Sequence, residues 1–194
     1  MKRVERVYCE ILQKILQDHT NTMTQKQLAI DCDVSIGIVN YALKPLHQMG
    51  IIEKKQRSFL LLNPKKLLIY WASIRNLTNN IVYTTFSPEP TQKIEQMMPP
   101  CVFTAYSGYK HTFDVVPADY REVYIYADPA QIKERFPPST SPLHNIFVLE
   151  NDPYIIKRSN RGIAPSPLIY ADLWNLNTWY ANEFIQDFEK KLGL

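Results

Sequence analysis

The residues best suited to chemistry in this sequence are cations and an amide, and they lie in its first third. Lys54, Lys55 and Arg57 fall within four consecutive positions, a density that favours binding to phosphate oxygens. Asn40 carries both a hydrogen-bond donor and an acceptor, so its side chain is suited to reading the edge of a base. These residue types indicate contact with a nucleic acid.

The charge of the chain is distributed in the same uneven way. The net charge over 194 residues is +3. Residues 1–66 contain eight lysines and three arginines against six acidic residues, a net charge of +5, whereas the remainder has a net charge of −2. A surplus of cations on one small domain is typical of proteins that neutralise phosphates.

Metal and catalytic chemistry have little support in the sequence. Cys9, Cys32 and Cys101 lie far apart and no histidine lies at zinc-ligand spacing, so we predict reduced thiols, no metal and no cofactor. A nucleotidyltransferase would need a Gly-Ser turn followed by two carboxylates one residue apart. Ser107-Gly108 is the nearest such turn, and Asp114 stands alone in a predicted strand. We therefore expect no catalysed reaction.

Two helices are predicted ahead of these cations. Residues 4–18 place apolar side chains on one face at helical spacing, with Glu10 among the polar residues of the solvent face. A polar turn follows, and Thr24 then offers its hydroxyl as the N-cap of a short helix over residues 25–32.

A third helix is predicted over residues 36–49, after a tight turn. Ser35 is suited to cap it, and Asp33 occupies the turn position that often needs a positive φ. Pro45 lies inside this helix, where it removes one backbone hydrogen bond and should bend the helix. The helix is expected to bury Val39, Leu43 and Leu46 and to expose Ile36, Gly37, Asn40, Tyr41 and Lys44.

The basic cluster is the predicted tip of a hairpin. Gly50 ends the third helix, Ile51 and Ile52 begin one strand, and residues 59–62 form the other. The order of helix, turn, helix and basic hairpin over residues 24–62 resembles the winged-helix family of prokaryotic transcription regulators. The resemblance implies binding to double-stranded DNA through a major-groove helix and a wing. The predicted DNA contacts are Gln25, Lys26, Ser35, Ile36, Gly37, Asn40, Tyr41, Lys44, Lys54, Lys55, Gln56 and Arg57.

The remainder of the chain predicts a second domain, so the predicted boundaries are 1–64 and 65–194. A connecting helix over residues 64–77 is followed by strands at 81–86, 113–116, 122–126 and 145–149, with residues 102–106 either strand or helix start. Helices are predicted at 90–98, 129–136, 166–176 and 178–192. This mixture is typical of an α+β fold.

The second domain resembles the C-terminal part of AbiEi-type antitoxins. The resemblance rests on the segments 103–106, 123–126, 145–149 and 167–173, with Glu183-Phe184 after them. It implies a nucleotidyltransferase-like α+β fold without catalysis. Trp174 and Trp179 lie near the end of this domain and are candidates for a dimer or partner surface.

These observations favour a cytoplasmic protein that binds double-stranded DNA sequence-specifically, as a transcriptional regulator of antitoxin-like type. We expect a homodimer, with possible binding of a protein partner through the second domain. The sequence contains no apolar stretch long enough for a membrane helix and no signal-peptide core. The alternatives are a protein-docking module whose winged helix no longer binds DNA, and a degenerate nucleotidyltransferase.

Overall fold

The computed structural model describes residues 1–193, the side chain of Asp18 excepted, and the chain divides into two units. The first unit comprises Met1–Arg75 and the residues from Glu189 onward, and the second comprises Asn76–Phe188. The division thus falls after Arg75, whereas the sequence predicted it after Pro64. The difference arises because the helix that begins at Pro64 buries its apolar side chains in the first unit.

The first unit has the element order of a winged helix. Its elements are α1 (Arg3–Asp18), β1 (Thr22–Met23), α2 (Gln25–Asp31), α3 (Ile36–Gln48), β2 (Ile52–Lys54), β3 (Phe59–Leu61) and α4 (Pro64–Ile74). The three strands form an antiparallel sheet in the order β1-β3-β2. The sequence missed β1, because a two-residue strand has no periodicity of its own and depends on pairing with β3.

Local signals explain where the helices of this unit begin and end. Thr24 accepts a hydrogen bond from the Gln27 amide, and Ser35 accepts one from the Ile38 amide, so both predicted N-caps are confirmed. Asp33 has the predicted positive φ, at 53°, and Gly50 follows α3 with a φ of 66°. These two residues reverse the chain on either side of α3.

The predicted position of Glu10 on the solvent face of α1 is wrong. Glu10 is only 3% exposed, and its carboxylate lies 3.6 Å from the Lys14 ammonium. Lys14 also reaches Asp31 on α2 at 2.9 Å. The helical spacing alone could not predict this burial, since it follows from the packing of α2 against α1.

The second unit is built on a four-stranded mixed sheet. Its strands are β4 (Ile81–Thr85), β5 (Val102–Thr104), β6 (Val123–Ala127) and β7 (Ile146–Glu150), in the order β4-β7-β6-β5. β6 and β7 are parallel to each other, whereas the β4–β7 and β5–β6 pairs are antiparallel. The helix α7 (Pro129–Arg135) connects β6 to β7. The other helices are α5 (Thr91–Met97), α6 (Ala105–Phe113), α8 (Pro153–Arg158), α9 (Ser166–Trp174) and α10 (Ala181–Leu192). The α+β class is therefore confirmed.

The two faces of this sheet have different chemistry. Alternate residues of β6 and β7 pack with Ile94, Ile132 and Phe136 into an apolar cluster. On the other side, the Tyr126 hydroxyl and the Thr104 hydroxyl donate to the fully buried Asp172 carboxylate, at 2.7 and 2.6 Å. The alternation follows from the period of two along a strand.

The sequence misread the segment around residue 113. Phe113 ends α6, and Asp114 follows it with a φ of 61°, so no strand forms at 113–116. Ser107 and Gly108 lie inside α6 rather than in a turn. The ambiguous residues 102–106 divide into β5 and the first turn of α6. A short apolar run does not distinguish a strand from a helix, and pairing with β6 decides the matter here.

Candidate nucleic-acid interface

The outward face of α3 carries the residues predicted to read base edges. Asn40, Tyr41 and Lys44 are exposed, whereas Val39, Ala42, Leu43 and Leu46 are buried, so the predicted faces of this helix are confirmed. The helix continues through Pro45 to Gln48. Lys66 of α4 donates to the Met49 carbonyl at 2.7 Å and so places a cation beside the C-terminal end of α3.

The wing presents a cationic tip. Lys54, Lys55 and Arg57 are exposed, and the Lys55 amide donates to the Ser58 carbonyl at 2.8 Å, which closes the turn. The Lys55 ammonium forms an ion pair with Glu53. This pair reduces the charge that Lys55 offers to a phosphate, so Lys54 and Arg57 are the stronger candidates for phosphate contacts.

The fold brings the wing, α2 and α3 to one groove. The groove has a volume of about 330 Å³. Seven of the residues predicted to contact DNA line it, although they are separated by up to 32 positions in the sequence. Its lining is Thr24, Gln25, Lys26, Ile36, Lys54, Lys55, Gln56, Arg57 and Ser58.

A second groove continues from the first along α2 and the start of α3. It has a volume of about 800 Å³, and Lys26 and Ile36 line both grooves. Arg3, at the first residue of α1, adds a cation to it. Asp33 adds a carboxylate, which opposes the approach of a phosphate.

Some predicted contact residues lie outside these grooves, and some lining residues were not predicted. Gly37, Asn40, Tyr41 and Lys44 line neither groove and are exposed on α3 after Ile36. Arg3, Thr24 and Ser58 were missed as candidates. Arg3 could have been found from its position as a cation at the start of the predicted first helix, whereas Ser58 depends on the hairpin geometry.

The second unit contains a polar cluster around the buried Glu95 side chain. Its buried polar groups pair with one another: the Lys110 ammonium donates to the Glu95 carboxylate at 2.7 Å, and the Tyr120 hydroxyl donates to the same carboxylate. Among the side chains that the structure describes, no group of three or more from histidine, cysteine, aspartate or glutamate is arranged to hold a metal ion. Within residues 1–193, no helix combines the length and the apolar character needed to cross a bilayer.

A known protein family matches the part of the chain that forms these grooves. The model of the Firmicute plasmid replication protein RepL matches residues 2–99, which is about half of the chain. The match covers the whole winged helix and continues through α5 of the second unit. No curated protein and no solved structure matches the chain. The chain therefore belongs to the RepL family of Firmicute plasmid replication proteins, and its N-terminal unit is a winged helix of the DNA-binding type.

Proposed function

We propose that this protein binds a specific double-stranded DNA sequence during plasmid replication, with α3 in the major groove and the wing on the phosphate backbone. The observation that carries the proposal is the groove lined by residues of α2, α3 and the wing. It joins four cationic side chains, of Lys26, Lys54, Lys55 and Arg57, with the first exposed turn of α3. This arrangement is suited to placing a helix against a duplex. Membership of the RepL family supports plasmid DNA as the partner, and hence a cytoplasmic location.

The proposed division of labour follows from residue chemistry. Lys26, Lys54 and Arg57 would contact phosphates, which sets the position of the domain but carries no sequence information. Asn40 would pair with an adenine through N6 and N7, and this bidentate contact discriminates between bases. Gln25 and Gln56 extend the polar surface, and Lys44 lies one turn beyond Asn40 on the same face.

The first test compares two double variants of equal charge. A binding site is selected from random duplexes, and affinity for this site and for a random duplex is measured over about 50 to 200 mM salt. Lys54→Ala with Arg57→Ala should weaken both complexes equally and lower the salt slope by up to about two units. Arg121→Ala with Lys157→Ala removes the same charge from exposed positions of the second unit and should leave both slopes unchanged. Equal effects of the two double variants would contradict the proposed interface.

Asn40 provides the test of base reading. Asn40→Ala should cost about 1 to 3 kcal/mol on the selected site and much less on random DNA. The two complexes are measured side by side with the same preparation. Equal losses on both would assign Asn40 to a phosphate contact or to the fold, and no loss on either would remove it from the interface.

A role in transcription would use the same contacts. The sequence favoured a regulator of antitoxin-like type, and a winged helix bound across a promoter would block transcription. Measurement of transcription from a promoter that overlaps the selected site tests this role. A protein-docking role predicts no preferred duplex in the selection, so the same experiment separates it from the proposal.

We propose no catalytic activity for the chain and no nucleotide cofactor. The location of Ser107 and Gly108 within α6, and of Asp114 after it, supports this proposal, because a nucleotidyltransferase needs its carboxylates beside a phosphate-binding turn. DNA affinity should be the same with Mg²⁺, with EDTA and with added nucleotide. The kinship of the second unit with nucleotidyltransferase-like domains stays a prediction from the sequence.

We also propose that the protein binds DNA as a homodimer. The second unit would hold the dimer together or bind a protein partner. A single winged helix of net charge +5 over residues 1–66 offers few phosphate contacts. The exposure of Trp179, at 76%, and of Trp174, at 38%, supports an apolar contact in the second unit. Sedimentation at the concentrations used for binding tests the oligomeric state, and a monomer with full affinity would contradict the dimer.

A further inference from the structure

The outward face of α3 is less polar than a solvent-facing helix normally is. Ile36 is 49% exposed and Tyr41 is 71% exposed, whereas Ile38, the other isoleucine of this helix, is partly buried. Helical spacing places Ile36, Asn40 and Lys44 in one column along the helix. The column therefore begins with an apolar side chain, continues with an amide and ends with a cation.

Ile36 also occupies a central position in the interface. It lines both the groove beneath the wing and the groove along α2. It is the first residue of α3, directly after the Ser35 cap. Any duplex that contacts the wing and the first turn of α3 together would therefore lie against this side chain.

The chemistry of the major groove restricts what an isoleucine can recognise there. Its side chain has no donor or acceptor, so it gains nothing from the nitrogen and oxygen atoms of the base edges and would strip them of water. The apolar group on a major-groove edge is the C5-methyl of thymine. An isoleucine at this position thus favours thymine over cytosine or a purine.

The distance between Ile36 and Asn40 sets the spacing of the two bases. Four residues of helix span about 6 Å, and successive base pairs of a strand are about 3.4 Å apart. The two side chains would therefore reach bases about two steps apart. Since Asn40 is suited to adenine, the pair would read a short element containing both thymine and adenine.

We infer that Ile36 is a specificity-determining residue, which reads the methyl group of a thymine lying about two base pairs from the adenine bound by Asn40. This inference rests on the proposed function, since it assigns part of the sequence that α3 recognises. It makes the preferred DNA a site with a thymine and an adenine in each half-site.

The test removes the methyl group from the DNA and the side chain from the protein independently. In the selected duplex, each thymine is replaced in turn by deoxyuridine, which differs only by this methyl group. At one position the unchanged protein should lose about 3- to 5-fold in affinity, the value of one buried methyl. Ile36→Ala should bind the thymine and the uracil duplexes equally, because the contact is already absent.

Two further variants keep the result interpretable. Ile36→Val retains a branched apolar side chain and should retain most of the discrimination between thymine and uracil. Ile74→Ala is the matched control, because Ile74 is 45% exposed on α4 and lines neither groove. It should lose affinity for the uracil duplex as the unchanged protein does. Circular dichroism of each variant verifies that the winged helix is folded.

Several outcomes would overturn the inference. It fails if no thymine position responds to deoxyuridine, or if Ile36→Ala keeps the response of the unchanged protein. A response that Tyr41→Ala abolishes and Ile36→Ala preserves would assign the methyl contact to Tyr41 instead. In these cases a selected site still exists, so the proposed function survives. Recovery of no preferred duplex would overturn both.

Discussion

Gly37 occupies a helical position at which glycine is normally unfavourable. It is exposed in the first turn of α3, and a β-carbon added there would meet nothing nearer than the Ser35 hydroxyl, at 3.7 Å. The φ of Gly37 is not in the left-handed region, so the fold itself does not require glycine. Glycine in a helix nevertheless costs up to about 1 kcal/mol relative to alanine. The proposed approach of DNA to this turn would account for the glycine.

Gly37→Ala is therefore expected to change stability and binding in opposite directions. The free energy of unfolding should rise by up to about 1 kcal/mol, while affinity for the selected duplex falls because the added methyl obstructs the approach. Thermal unfolding and fluorescence anisotropy measure the two effects on one preparation. A variant that is stabilised and binds DNA normally would exclude close approach at this residue.

Asp33 is expected to affect stability through its backbone conformation and DNA affinity through its charge. Two substitutions separate these effects. Its φ is 53°, and its carboxylate lines the groove that also contains Arg3 and Lys26. Asp33→Gly should relieve the left-handed conformation, worth up to about 1 kcal/mol, and should also raise DNA affinity by removing a negative charge. Asp33→Asn removes the charge alone, so it should raise affinity without the same gain in stability.

The effect of Asp33 on affinity should depend on salt. Because salt screens exposed charges, the gain for both variants should be largest in dilute buffer and decrease as salt is added. Anisotropy titrations at two salt concentrations measure this difference. If neither variant binds more tightly in dilute buffer, Asp33 does not face the phosphates.

At the scale of elements, α5 and α6 are joined by a partly buried ion pair between Lys110 and Glu95, whose strength depends on pH. Burial by itself raises the pKa of the Glu95 carboxyl, but hydrogen bonds from Lys110 and Tyr120 outweigh burial and lower the pKa below its ordinary value of 4.5. A carboxyl with a lowered pKa in the folded state stabilises the fold above its unfolded pKa. That contribution should be complete above about pH 4.5 and should decrease as the pH falls further.

Glu95→Gln should reduce the stability of the second unit by about 1 to 3 kcal/mol near neutral pH, since Lys110 loses its partner. The difference from the unchanged protein should shrink as the pH falls through the acid range. Urea unfolding between about pH 3 and pH 7 measures both effects. Glu89→Gln is the control, because the Glu89–Lys93 pair is exposed and should contribute less than about 1 kcal/mol. A constant difference at every pH would contradict the assignment to Glu95.

At the scale of the whole molecule, the end of the first unit is set by α4. Its side chains Leu67, Leu68 and Trp71 are almost completely buried. The Trp71 indole donates to the Glu5 carboxylate at 3.4 Å, and the fully buried Arg75 guanidinium pairs with the same carboxylate. The winged helix is therefore completed by residues that follow the wing.

A chain truncated after Arg75 should fold and bind DNA, whereas one truncated after Asn63 should not fold. Loss of the three large apolar side chains would cost about 1.5 to 3 kcal/mol for each. The total is comparable to the whole stability of a domain of this size, which is about 5 to 15 kcal/mol. The shorter chain would also leave Glu5 buried without Arg75. Circular dichroism melting of both chains tests the difference, and a cooperative transition in the shorter chain would contradict it.

The sequence alone determined most of the DNA-binding unit. The caps at Thr24 and Ser35, the positive φ of Asp33 and the buried face of α3 follow from interactions within a few residues, and local composition reveals these. The basic tip was predicted for the same reason, because the residues of a short hairpin are neighbours in the chain. The presence of an α+β second domain was also predicted from its alternating patterns.

Only the tertiary structure decided which distant residues meet. The burial of Glu5 depends on Arg75, seventy positions later, and the burial of Glu10 depends on the packing of α2. The helical state of residues 107–113 depends on the pairing of β5 with β6, since the apolar run before them fits either element. The groove exists because β1 and β2 both pair with β3 and hold the wing beside α2 and α3. Local preferences are worth tenths of a kcal/mol for a residue, whereas burial of a large apolar side chain, or loss of one partner of a buried ion pair, is worth several kcal/mol. The long-range interactions therefore decide wherever the local preferences are ambiguous.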